Sequence, residues 1–409
     1  MTAADLDRVS AELTRALQPL VQAGTPPGLT WGFDVGGERR TGALGHLDPE
    51  RTVPARLDTI YRISSMTKPV TAVATLSLVE DGVLSLDQPV DELLPELADR
   101  RVLTRPDGPL EQTEPAHRPI TVEDLLTFRL GHGMDFTMLG VPTPLDQRLS
   151  ELGLVVGPPA PQHHLPPDAW LAALGSVPLR HQPGERWLYN TGAEVLGVLL
   201  ARCSDAALGD VLRERVLDPL GMPDTAFSVP AQSLARLGAC FAAAGPESER
   251  QPPEPERLEV YDPPDGQWSS PPTFEGGDGG LVSTVEDFLS FGAVLRDGRH
   301  RDNERILSAD SVTAMTSNQL TDAQLRASGP SPDGSAGWGL GVGVTLEGST
   351  PTVVGSYGWD GGLGSTWRND TARDLVAVLL TNQSWASPVP PAVAETFWST
   401  LATCLPLGR

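Results

Sequence analysis

Residues 64–82 read SSMTKPVTAVATLSLVEDG and are apolar on nearly every helical side, which predicts a buried helix. Pro69 fits only a first helical turn, so the helix is expected to begin at about Ser65 or Met66, and Gly82 ends it. Ser65 and Lys68 then share one face at the helix start. A serine hydroxyl is a poor nucleophile without a neighbouring base, and an amine within reach supplies one. The helix terminus adds positive potential that favours a developing oxyanion. Ser64 sits one turn from the same amine and is within its reach too.

Lys68 is the single lysine among 30 basic residues. Arginine keeps its proton in a protein, whereas a desolvated lysine can release it, so the one retained lysine marks a place where proton transfer matters. The chain has 409 residues, 39% hydrophobic and 20% charged, enough to bury a core and more than a disordered tail would carry. A net charge of -23 argues against nucleic acid and against an anionic membrane surface as partners. No apolar run approaches the roughly 18 residues needed to cross a bilayer. Leu6, Val9, Leu13, Leu17 and Leu20 give an amphipathic first helix without the basic start of a secretory signal, and the expected location is cytoplasmic. Cys203, Cys240 and Cys404 are too few and too scattered for a disulfide framework or a zinc cluster.

Strand patterns mark the two ends of the chain. Leu29, Trp31, Phe33 and Val35 alternate before Gly36-Gly37, a second strand follows from Arg40 to Leu44, and Ile60–Ile63 precedes the buried helix. After residue 275, GWGLGVGVTL is read as one strand with Trp338, Leu340, Val342, Val344 and Leu346 on one face and glycines on the other, so something must approach it closely. Thr352–Tyr357, Gly364–Arg368 and the run LVAVLLTN at 375–382 complete an antiparallel set, and a helix covers about 391–404. Between residues 88 and 274, helical segments alternate with Pro-rich connections and little strand alternation. The organisation expected is an α/β domain from residues 1–87 and 275–409, a mostly helical insertion at 88–274, and a site between them.

Other catalytic patterns are missing. There is no Gly-x-Ser-x-Gly elbow and no His-Glu-x-x-His, and His163-His164 lies in a Pro-rich loop. The run Gly276-Gly277-Asp278-Gly279-Gly280 reads as a loop before a helix whose capping box starts at Ser283.

Ser65-Met66-Thr67-Lys68-Pro69 resembles the first motif of the serine β-lactamase and penicillin-binding protein superfamily, closest to the class C β-lactamase-like carboxylesterases. PGERWLYNTGAEVLG at 183–197 is similar to the segment bearing the second motif, with its tyrosine at Tyr189. Tyr357-Gly358-Trp359-Asp360-Gly361-Gly362 resembles the third motif in the Trp-x-Gly form of the esterases. The resemblance runs from about residue 55 to 385 and implies a β-lactamase-like α+β fold, an antiparallel sheet flanked by helices with a mostly helical domain inserted.

The same resemblance implies the roles. Ser65 would be the nucleophile of an acyl-enzyme, Lys68 would organise the protons around it, and Tyr189 would shuttle a proton; which of the two is the base stays open. The N–H groups of Ser65 and Gly362 would form the oxyanion hole. Trp359, Asp360, Gly361 and Thr191 would contact substrate. Two departures matter: Thr191 stands where β-lactamases carry an asparagine, with Asn190 beside it expected to point elsewhere, and Trp359 stands where they carry a cation for the substrate carboxylate. Both favour uncharged esters over penicillins. The reaction implied is hydrolysis of small carboxylic esters with no metal or organic cofactor. Acyl transfer to another acceptor, then β-lactamase or peptidase activity, then a non-catalytic binding protein, are the alternatives in that order. The substrate pocket is expected from parts of 130–145 and 240–275, and the oligomeric state is not legible.

Overall fold

The computed structural model describes residues 1–138, 140–154, 157–244, 257–297, 306–331, 333–348 and 351–407. Strand β1 (Gly28–Val35) pairs with β2 (Glu38–Gly45) on one side and with β7 (Leu375–Thr381) on the other. The sheet then continues through β6 (Ser365–Asp370), β5 (Tyr357–Gly361), β4 (Gly343–Thr345) and β3 (Ala336–Trp338), with every adjacent pair antiparallel. Both ends of the chain thus build one sheet, and the fold is the β-lactamase-like α+β class.

The unbroken apolar run of β7 follows from burial of both its faces. Leu375, Ala377 and Leu379 pack with Trp31 and Phe33 against α1 (Ala3–Ala23) and α5 (Ala392–Cys404). Val376, Val378 and Leu380 join the larger core on the opposite face with Phe288 and Leu289 of α4 (Val285–Asp297). Helix α1 begins with a capping box between Thr2 and Asp5 and buries Leu6, Val9, Leu13, Leu17 and Val21, while Leu20 is only partly buried. The capping residues of α4 are displaced by one from the expected box: Thr284 Oγ1 accepts from Asp287 N–H, and Ser283 is paired with Tyr61 in a short ladder.

Two expected strands are corrected. GWGLGVGVTL is a hairpin, β3 and β4, closed by Gly339 N–H donating to Val342 C=O. Its turn needs Gly341, which has φ +81° and where a Cβ would lie 2.4 Å from the Ala72 Cβ. The close approach anticipated from the glycines is present, but it comes from several neighbours. Thr352–Tyr357 is not a strand; only Tyr357 enters β5. In the middle of the chain, Arg101–Leu103 pairs with Thr113–Pro115 and Cys240–Ala243 with Leu258–Asp262, short ladders that show no sustained alternation in sequence.

Candidate active site

Helix α2 (Thr67–Glu80) follows a single tight turn at Ser64–Met66, and from Tyr61 to Leu78 Ser65 is the only residue not fully buried. The turn is held from three sides. Ile63 N–H donates to Leu281 C=O, Ser365 Oγ donates to Ile63 C=O, and a Cβ on Gly361 would lie 2.2 Å from that carbonyl oxygen. Ser64 carries φ +47°, a conformation that costs a non-glycine residue on the order of 1–3 kcal/mol. The surrounding contacts impose it, and Ser65 is left half-buried.

Lys68 is 2% exposed, and its Nζ donates to Ser65 Oγ at 3.0 Å and to the Asp278 carbonyl at 2.7 Å. The glycine run is indeed a loop, and threonines of α2 clamp it: Thr71 Oγ1 donates to Gly277 C=O, and Thr67 Oγ1 accepts from Leu281 N–H. Gly277 passes so close to α3 (Thr191–Ser204) that a Cβ would lie 2.6 Å from the Ala193 carbonyl. The loop therefore fixes where Lys68 can point.

Tyr189 closes the other side. Its ring lies under Lys68, with Nζ 4.6 Å from the ring centroid, a favourable cation–π geometry. Its hydroxyl accepts from Trp359 Nε1–H at 2.8 Å. Phe128, Phe136 and Trp187 contact the same ring, with centroids 5.4 to 5.7 Å away.

The remaining expected residues have partners within the protein. Asp360 is held by both terminal nitrogens of Arg368, at 2.8 and 2.7 Å, in a cross-strand ion pair. Gly361 permits the close approach of β5 to the Ser65 turn. Gly362 follows on open ground, with nothing within 4 Å of where a Cβ would stand. Thr191 is buried beside Glu194.

Asn190 corrects the sequence reading. With φ +84° it turns its amide inward, and Nδ2 donates to Asp278 Oδ2 at 2.9 Å. Asn190 and Thr191 lie beside Glu194, a carboxyl whose pKa is pushed up to about 8 by burial and the nearby Asp278, against the opposing pull of Lys68. Sequence reasoning missed Asn190, Glu194 and Asp278. A lone acid on the apolar helix AEVLGVLLA and the only side chain within a glycine run were the available signals.

These three residues line a cavity of about 330 Å³ together with Pro158–Pro161, His164 and Phe274. The expected pocket segments contribute only Phe274; residues 245–256 of the second lie outside the described residues. Among the described residues no three His, Cys, Asp or Glu side chains gather as metal ligands, and no helix is long and apolar enough to cross a membrane.

A sequence profile of the beta-lactamase family matches residues 13–392. The chain belongs to the beta-lactamase family. Protein Rv1367c of Mycobacterium tuberculosis is 37% identical over 303 residues, 74% of this chain and 70% of that protein. Esterase EstB of Burkholderia gladioli is 32% identical over 193 residues, 45% of this chain and 43% of the esterase. The solved structure of EstCE1, "a hydrolase with promiscuous acyltransferase activity", superposes with a TM-score of 0.78 at 22% identity, covering 98% of this chain and 100% of that one. At that identity the likeness speaks for the fold.

Proposed function

We propose that the chain hydrolyses small, uncharged carboxylic esters through an acyl-enzyme on Ser65. The observation that carries this reading is the buried Lys68 amine 3.0 Å from the one hydroxyl of its segment that is not fully buried. Ser65 Oγ attacks the ester carbonyl carbon while its proton passes into the Lys68–Tyr189 pair. The tetrahedral oxyanion is held by the N–H groups of Ser65 and Gly362, the first of which belongs to a helical turn whose leading donors have no intrahelical partner. Collapse breaks the ester C–O bond, the leaving alkoxide takes the proton back from the pair, and water repeats the sequence on the acyl-serine.

Charge supports uncharged substrates. Trp359 offers no cation, Asp278 flanks the cavity, and a net charge of -23 repels anions. The cavity's volume is at the lower end of the roughly 300–1,000 Å³ of small-molecule sites. EstB is an esterase by name, which agrees with this reading. The division into 1–87 with 275–409 around an insertion at 88–274, and a cytoplasmic location, belong to the same proposal.

The test is a series of p-nitrophenyl esters of rising chain length run beside nitrocefin, with fluorophosphonate labelling of Ser65. Short esters should turn over, nitrocefin should not, and the label should be lost in Ser65→Ala. Nitrocefin turning over faster than every ester, or labelling that survives Ser65→Ala, would overturn the reading. Adding a nucleophilic alcohol or amine separates hydrolysis from acyl transfer by the product formed.

A further inference from the structure

Trp359 is expected, from the motif it resembles, to touch substrate. Its indole nitrogen is already committed elsewhere. An indole N–H donates and never accepts, so at 2.8 Å the Tyr189 oxygen must be the acceptor. That bond takes one lone pair of the phenol and leaves the phenol's own proton free to point away from the indole.

The indole is not free to leave this position. It stands edge-on to Trp338, centroids 4.7 Å apart at 90°. It also lies across Gly343, where a Cβ would be 2.6 Å from the indole Cε3. Tyr189 is equally confined, between the Lys68 amine over one face and the rings of Phe128, Phe136 and Trp187. Packing thus fixes both rings, and the one directional contact between them is the hydrogen bond to the oxygen.

We propose that Trp359 is a positioning residue for Tyr189: its N–H anchors the phenol oxygen and turns the phenol's proton toward the Ser65–Lys68 side. This rests on the reading of Ser65, Lys68 and Tyr189 as an acyl-transfer site. An indole cannot give up or take a proton at working pH, so it holds the oxygen without competing for the proton being moved. The bond strengthens whenever the oxygen gains negative character, as charge-assisted bonds do. A ring donor thus does by hydrogen bonding what a cation cannot do without also attracting anionic substrates.

The test is a double-mutant cycle on a short p-nitrophenyl ester, with a thermal melt on each protein. Trp359→Phe keeps a ring and loses the donor; kcat should fall about 10- to 100-fold with KM within about twofold. Trp359→His restores an N–H and should recover a substantial part of kcat. In a Tyr189→Phe background, Trp359→Phe should change kcat by less than about twofold, because the oxygen it serves is gone. A Trp359→Phe effect that falls on KM, or that persists undiminished in the Tyr189→Phe background, would overturn the proposal in favour of substrate contact. Should Trp359→Phe fail to fold, the Trp359→His protein decides by the same KM-against-kcat split. Failure of the underlying reading is distinct: Tyr189→Phe alone would leave kcat unchanged.

Discussion

On the Lys68 side of the site, hydrogen bonds hold nearly every polar atom. The amine has Ser65 and the Asp278 carbonyl, Asn190 has Asp278, and Thr67 and Thr71 tie the glycine loop to α2. On the Tyr189 side, rings hold rings, and one N–H reaches one phenol oxygen. Hydrogen bonds are directional and fail when a single partner changes. Ring packing is shared among many contacts and tolerates exchanges that conserve volume. The polar wall should therefore lose function without losing the fold, and the aromatic wall should respond in proportion to what is removed.

The largest effect should come where the polar wall meets substrate. Ser65→Ala is expected to lower kcat by at least about ten-thousand-fold while the melting temperature stays within a few degrees. Retained activity, with loss on Ser64→Ala instead, would move the nucleophile by one residue. Across the site, Tyr189→Phe keeps the ring and removes the only reacting atom of the aromatic wall. A loss of about two to four orders of magnitude in kcat is expected; an unchanged rate would reduce that wall to packing.

A smaller effect probes the cavity lined by Asn190, Glu194 and Asp278 on the polar side. A Cβ on Gly279 would stand 3.0 Å from Pro159 Cγ, so Gly279→Val should fill part of the cavity. Longer-chain esters should lose about tenfold or more in kcat/KM while acetate esters are spared. A uniform loss at every chain length would detach the cavity from substrate choice.

The smallest effect concerns Glu194 and is read as stability. Its ordinary pKa of 4.5 is raised to about 8 in the fold, so the folded state binds the extra proton between those values. Stability from this group therefore falls as pH rises from about 4.5 to about 8. Glu194→Gln keeps the hydrogen bonding of the neutral acid, and its melting temperature should decline less over that window than the wild type's. Parallel curves for the two proteins would contradict a protonated Glu194.

What the sequence disclosed tracks the same division. Ser65 and Lys68 are close in the chain and on one helix, so their meeting follows from helical spacing alone. The two-ended sheet was legible because Leu29–Val35 and LVAVLL carry strand patterns. The aromatic wall was not, since Phe128, Tyr189, Trp338 and Trp359 come from four separate segments that only tertiary packing unites. Asn190 misled because a positive φ, which no neighbouring glycine announces, reverses the direction its side chain takes. The β3–β4 hairpin was hidden for a related reason: alternating glycines fit a strand until one of them turns.

The central claim is that Lys68 must move a proton beside Ser65 and not merely carry charge, and Lys68→Arg tests it most directly. Arginine keeps the charge, cannot release its proton, and brings a planar fork into a space fitted to an ammonium. With folding confirmed by thermal melt, kcat/KM on a short-chain p-nitrophenyl ester should fall nearly as far as in Ser65→Ala. A folded Lys68→Arg protein within about tenfold of the wild-type rate, a loss of only ~1.4 kcal/mol in transition-state stabilisation, would contradict the account.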